Sequence, residues 1–243
     1  MKQEGPVPAQ DVSIEKRILF SNSNCMAINK APGESTEPLP KPGMIDLPRL
    51  LAEHCSPLRP LPVHRLDVPV TGCVLFALNG ESLRFLGKAF REGKTQKNYW
   101  AITEFSSSGK MLPDDGELKH WIGAGRAGAN KVTVSGTAGP ALRESRLHYR
   151  IFGRGERYLF WEIELLSGRH HQIRAQLAHE GFPVKGDLKY GARRSEKPGG
   201  IRLHARDLSF PDPESSRTVT VSCFPPLEDN LWLAFREAIG LAR

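Results

Sequence analysis

Apolar positions along the chain fall into two rhythms, short blocks and helical spacing. Residues 17–20 and 25–28 are short apolar blocks divided by the turn-forming run Ser21-Asn22-Ser23-Asn24, and they predict two strands. Residues 31–44 are rich in Pro and Gly and read as a loop. Asp46 caps a predicted helix running to about His54, with Pro48 tolerated in its first turn. Residues 74–78 predict a buried strand. Asn79 caps the next helix, in which Leu83, Leu86 and Phe90 recur at helical spacing until Gly93 stops it. Residues 99–103 read as a further strand.

The pattern loosens over residues 104–140, where Ser/Gly, Pro-Asp-Asp-Gly and Gly-Ala-Gly segments separate two short strand candidates. This predicts a hairpin insertion, placed either near substrate or as a plain surface excursion. Strands are expected over 143–152, 157–166, 203–210 and 218–223. A helix opening near Gly168 carries Ile173 and Leu177 and stops at Gly181. A last amphipathic helix over 227–241 sets Leu231, Phe235 and Ile239 on one face. Strands and helices mix without a βαβ rhythm, so the expected class is α+β. Residues 1–16 are expected as a leader and 17–243 as one domain.

Charge changes the picture next. The chain carries a formal net charge of +7 over 243 residues, which favours a polyanionic partner. Residues 1–60 hold seven Lys/Arg and seven Asp/Glu, so the surplus lies beyond them. Seven basic residues (Lys185, Lys189, Arg193, Arg194, Lys197, Arg202, Arg206) crowd one stretch. They read either as a phosphate-binding surface or as a functionally silent one. Four scattered cysteines without a CxxC pair argue against a structural zinc and fit a reducing compartment, so a cytoplasmic location is expected. No apolar run reaches the length of a membrane span. No phosphate-binding loop of the GxxxxGK[ST] type is present, and no nucleotide cofactor is expected.

Three segments concentrate chemistry. His64-Arg65-Leu66-Asp67 lies in a loop before the 74–78 strand; a carboxylate beside an arginine there is either a nucleophile or half of a structural pair. Gly168-Arg169-His170-His171-Gln172-Ile173-Arg174 runs from strand end into helix, where Arg169 and backbone N–H groups could seat a phosphate; a capped surface helix is the plainer reading. Gly181-Phe182-Pro183-Val184-Lys185-Gly186-Asp187-Leu188-Lys189-Tyr190-Gly191, followed by Leu203-His204-Ala205-Arg206, reads as architectural.

Taken together, HRLD followed by TG, GRxHQIR, GFPVxGDxxYG and LHARxLxF resemble, in order and spacing, the RluA family of RNA pseudouridine synthases. The resemblance runs from about residue 17 to about 225. It implies the pseudouridine synthase fold, a curved, mixed and largely antiparallel sheet with flanking helices and a central RNA-binding cleft. It implies an isomerase that flips a uridine out of ribosomal or transfer RNA, detaches uracil from C1′ and rejoins it through C5, with no cofactor and no metal. Asp67 matches the attacking aspartate, Arg174 the basic residue that pairs with it, and Tyr99, in Lys97-Asn98-Tyr99, the tyrosine that stacks on uracil and is a candidate for the late proton abstraction. Arg65 matches the arginine that fills the gap left by the base. His64, Lys97, Arg169, His171 and Gln172 join it as candidate RNA contacts, and Ile173 and Leu203 match apolar positions beside the base. The physics agrees: a stacked base must be extruded before attack, and a shielded carboxylate is kept ionised by a guanidinium.

Two departures stand out. Val68-Pro69-Val70 replaces the polar residues that usually follow the aspartate, so a loop hydrogen bond is expected to be missing or replaced; His170 stands where Thr is usual. No N-terminal S4 domain is expected, which leaves recognition to the catalytic domain, expected to act as a monomer. Two other classes compete: a non-catalytic RNA-binding module on the same fold, and a metal-dependent hydrolase using His64, Asp67, His171, His179 and Asp187. The latter set lacks a spaced ligand motif.

Overall fold

The computed structural model describes residues 12–38, 45–106, 109–125, 130–196, 200–226 and 229–241. Most of the expected leader lies outside the described residues, as do part of the 31–44 loop and Lys197. The chain divides into two compact units, one of residues 1–97, 198–200 and 204–232, the other of residues 98–197, 201–203 and 233–243.

The first unit holds β1 (Ile18–Ser21), β2 (Cys25–Lys30), α1 (Leu47–His54), β3 (Leu61–Pro62), β4 (Thr71–Ala77) and α2 (Gly80–Arg91), joined late in the chain by β10 (Leu203–Pro211) and β11 (Thr218–Ser222). Every residue of β4 is buried, as expected for an unbroken apolar run lying between other elements. It pairs antiparallel with β2 and β3 and parallel with β10. Ala27, Cys73, Leu75, Leu86, Leu208, Phe210 and Val221 form the core below α2. Both predicted helices start where expected: the Asp46 side chain accepts from Arg49 N at 2.9 Å and that of Asn79 from Ser82 N at 2.8 Å.

The second unit is built on β5 (Gln96–Glu104), β6 (Asp115–Ala124), β7 (Val132–Ser135), β8 (Arg143–Arg154) and β9 (Tyr158–Leu165), in the order β5-β9-β8-β6-β7 and antiparallel throughout. Its core centres on Trp161, whose Nε1 donates to Thr103 Oγ1 at 2.8 Å and whose ring meets Tyr149 and Phe182. α3 (Gln172–His179) belongs here, and α4 (Asn230–Ala238) sends Phe235 against Trp100 and Phe160. β4–β10 is parallel, as is the isolated bridge Ser35–Asp46, and the other described registers are antiparallel, so the fold is α+β with mixed, largely antiparallel strands. No helix among the described residues is long and apolar enough to cross a membrane.

Three expectations need correction. The hairpin expected over 104–140 is present as β6 and β7, but it is no surface excursion: β6 runs over ten residues and pairs with β8 from Asp115 to Ile122, in the body of the sheet. Its inward positions Leu118, His120 and Ile122 alternate, but the buried histidine breaks the apolar rhythm that would have shown it. α3 opens at Gln172 rather than near Gly168. On α4 the deeply buried side chains are Trp232 and Phe235, with Leu231 and Ile239 only half-buried. Asp229 caps this helix through Leu231 N and Trp232 N, which moves its start to Asn230.

Candidate active site

Asp67 sits half-buried in the loop that feeds β4, directly after the buried Leu66. That loop is fixed through its backbone. Val70 N donates to Asp67 O at 3.0 Å, closing the turn, and Gly33 N donates to Val68 O at 2.9 Å. Thr36 Oγ1 donates to Leu66 O at 3.3 Å. Lys30, fully buried at the end of β2, donates from Nζ to the carbonyls of Val70 (2.6 Å), Val68 (2.9 Å) and Ala31 (3.0 Å). An ammonium has three protons and here meets three acceptors. Burial pushes the Lys30 pKa down to about 7, while the charges of Glu34 and Asp67 oppose that fall. Glu34 is held in turn by Arg17 Nη1 at 2.8 Å and Ala31 N at 2.8 Å. The missing hydroxyl at Val70 is thereby replaced: the valine side chain is buried, and main-chain carbonyls supply the hydrogen bonds.

The loop leaves into β4 through Thr71 and Gly72. Gly72 has φ +115°, and a Cβ there would stand 2.2 Å from the Ala205 carbonyl oxygen, so only glycine allows β4 to approach β10 this closely. Thr71 Oγ1 lies 2.8 Å from Nδ1 of His204, whose Nε2 lies 2.9 Å from the Cys223 carbonyl. A carbonyl only accepts, so Nε2 carries the proton and Nδ1 accepts from the threonine. Burial pushes the His204 pKa down to about 3, which keeps the ring neutral.

Other predicted contacts in this unit divide. Arg65 is exposed and paired with Glu37 at 2.9 Å, a solvent-screened pair open to exchange. His64 is turned inward: Nε2 accepts from Leu75 N at 3.1 Å, and the ring stacks on Phe90 at 4.8 Å. Burial, with the Lys97 charge, pushes its pKa down to about 3. His64 thus joins the loop to β4 and α2. Lys97 is half-buried, and burial lowers its pKa below the usual lysine range.

In the second unit, Arg174 of α3 is gripped by Asp187 through Nε–Oδ2 at 2.6 Å and Nη2–Oδ1 at 2.9 Å, with both residues buried. Such a fork fixes the guanidinium plane. Arg169 is exposed. Gln172 is buried and spends its amide internally: Oε1 accepts from Arg169 N at 3.0 Å and Ser167 Oγ at 2.9 Å, and Nε2 donates to Arg146 O at 3.1 Å. His171 is the N-cap of α3 in the left-handed region, φ 53° and ψ 21°, which costs a non-glycine residue about 1–3 kcal/mol. Its Nδ1 lies 2.9 Å from the Tyr190 hydroxyl. Gln172 and His171 therefore shape the helix start. Tyr99 is buried on β5 opposite Ile163 of β9; Ile173 and Leu203 are buried too.

The sequence model of the family described as RNA pseudouridylate synthase matches residues 24–179, a span that includes Asp67, Tyr99 and Arg174. The chain belongs to that family. Among its relatives, the synthase is 28% identical over 239 residues to the tRNA pseudouridine synthase C of Haemophilus ducreyi, covering 90% of this chain and 93% of that one. It is 31% identical over 201 residues to an uncharacterised RNA pseudouridine synthase of Zymomonas mobilis, covering 81% and 88%. It is 30% identical over 219 residues to the ribosomal large subunit pseudouridine synthase D of Borreliella burgdorferi, covering 86% of this chain and 65% of that protein. The fold is that of the solved human RNA pseudouridylate synthase domain containing 1, with TM-score 0.73 and 22% identity over 96% of this chain and 98% of that one.

Two residues of the synthase that shape these surroundings, Asp187 and His204, were read from sequence as architecture, Asp187 also as a ligand in the hydrolase reading. Their signals were the GDxxYG and LHAR motifs, but nothing local says that Asp187 reaches back to Arg174 or that His204 reaches Thr71. The basic stretch is also less open than its composition. Lys185 and Arg202 both pair with Glu196, Arg193 approaches Glu104 at 3.7 Å, and Lys189 donates to Asn130 O. Nor does His179, one of the hydrolase candidates, sit in a fitting metal site in the second unit. It lies with His120 and Glu180, but Gln176 Nε2 faces His120 Nδ1 at 3.0 Å and Glu180 Oε1 faces Nε2 at 2.9 Å. The Nε2 proton therefore points at the carboxylate, and no lone pair there awaits a cation.

Proposed function

We propose that this synthase is an RluA-type enzyme that isomerises specific uridines of transfer or ribosomal RNA, with Asp67 as the nucleophile. Family membership supports the chemistry. The names of the relatives from Haemophilus ducreyi and Borreliella burgdorferi support the substrate class. The observation that carries the assignment to Asp67 is its loop: Lys30, Gly33 and Thr36 hold the flanking carbonyls, so the carboxylate is presented from a fixed backbone.

In the reaction the Asp67 carboxylate attacks the flipped uridine, the N1–C1′ bond breaks, uracil turns, C5 bonds to C1′ as the bond to the carboxylate is released, and the C5 proton passes to a base while N1 takes up a proton. Tyr99 offers an aromatic face to the flipped base, and Arg174 is the candidate counter-charge. Arg65, Arg169 and Lys97 contact the backbone or the vacated stack, and Ile173 and Leu203 line the base. The enzyme works as a monomer in the cytoplasm and needs no cofactor. Mapping pseudouridine across the RNA of cells with and without the gene tests this reading. A site lost on deletion and restored by wild type, but not by Asp67→Asn, supports it. No lost site in any RNA class favours a non-catalytic RNA binder.

A further inference from the structure

Three sequence-distant segments of the second unit meet at Tyr190. The hydroxyl oxygen accepts from the backbone N–H of Val132, at the start of β7, at 3.1 Å. The same oxygen lies 2.9 Å from Nδ1 of His171, and the two rings meet edge to face, with centroids 5.6 Å apart. Lys131 Nζ stands 5.0 Å and Arg174 Cζ 5.1 Å from the ring centroid. Through its own backbone Tyr190 N donates to Asp187 O at 3.0 Å, the residue whose carboxylate holds Arg174. A second tie parallels the first: His170 Nε2 lies 3.3 Å from Asn130 Oδ1, and Lys189 Nζ donates to Asn130 O at 3.1 Å.

His171 is the residue that needs support. Its left-handed backbone sets the direction in which α3 departs, and α3 carries Arg174 one turn later. A hydrogen bond between its ring and a phenol anchored to β7 holds that conformation more firmly than solvent would.

We propose that Tyr190 is a positioning residue for the isomerisation, tying the β6–β7 hairpin to the His171 cap of α3 and thereby setting the attitude of Arg174. This rests on the reading of Arg174 given above. Tyr190 acts through other residues: its hydroxyl and ring are spent on Val132, His171, Lys131 and Arg174. It also gives the hairpin a part in the chemistry, since residues 130–132 are the far end of the tie.

Purified wild type, Tyr190→Phe, His171→Ala, the double variant and Arg174→Met, incubated with RNA from a deletion strain, test this by single-turnover rate, RNA binding and thermal midpoint. Tyr190→Phe keeps the ring and removes only the hydroxyl. Its rate is expected to fall about tenfold with RNA affinity within twofold of wild type, and the double variant to be no slower than the slower single. Leu51→Ala, a core change in the other unit, supplies a destabilised reference whose rate stays near wild type. A wild-type rate for Tyr190→Phe while Arg174→Met is inactive overturns the inference alone. So does a loss shared in proportion by rate, binding and thermal midpoint. Full activity of Arg174→Met overturns the inference together with the reading it rests on.

Discussion

Nζ of Lys30 lies 2.6 Å from the carbonyl oxygen of Val70, three residues beyond the proposed nucleophile, in a site where the lysine is fully buried. A buried cation is retained only where its protons are matched, and here the matching acceptors are mostly the main chain of the Asp67 loop. Lys30→Met fills the same space but takes the Nζ donor from the Val70 and Ala31 carbonyls, while Val68 O keeps Gly33 N. The expected cost is about 2–4 kcal/mol, taking about 1–3 kcal/mol per unsatisfied buried group and allowing for the apolar gain. A urea titration reads it, and an unchanged midpoint would contradict the account of the loop.

Asp187→Ala removes the fork that holds the Arg174 guanidinium in a buried setting. Removing one partner of such a pair destabilises by about 3–5 kcal/mol, whereas Asp187→Asn keeps one acceptor and costs less. The order of the two urea midpoints, with alanine lower, is the checkable outcome. Equal midpoints would mean that the fork contributes little.

Stability should fall in acid because of two histidines. His64 and His204 stay neutral in the folded protein down to about 3, whereas their ordinary value is 6.5. Above pH 6.5 neither state binds the proton and the contribution is complete. Below it the unfolded chain takes up protons that the folded one refuses, so stability is lost as pH falls from 6.5 toward about 3. Each histidine contributes a slope of about 1.4 kcal/mol per pH unit in that window. His64→Gln keeps an acceptor for Leu75 N and removes one titration. Its urea midpoint should change less than that of wild type between about pH 6.5 and about pH 4.5, and an identical change would refute the assignment.

Much of the fold was legible because each local signal had a physical cause. Asp46 and Asn79 announce helices because a short acceptor side chain satisfies orphan N–H groups. β4 announces itself because a strand buried all along reads as a near-continuous apolar run, here residues 73–77. What failed was any feature whose partner is far away in sequence. β6 hid because His120 occupies an inward place, answered by Gln176 and Glu180 from α3 and its end. The start of α3 was misplaced because His171 takes a left-handed backbone that its residue type does not signal. His64 and Gln172 looked like surface polar groups, yet their hydrogen bonds turn inward. The motifs themselves located the Asp67 loop and the α3 segment, while the partners that hold them, Lys30, His204, Asp187 and Tyr190, became visible only in three dimensions.

The most direct test of the central claim is conversion of uridine by purified protein with a single atom-group change at Asp67. RNA from a deletion strain is incubated with wild type or Asp67→Asn, and pseudouridine is quantified beside filter binding of the same RNA. The account predicts conversion by wild type, none by Asp67→Asn, and RNA binding by both. Pseudouridine formed by Asp67→Asn at a rate comparable to wild type would contradict it.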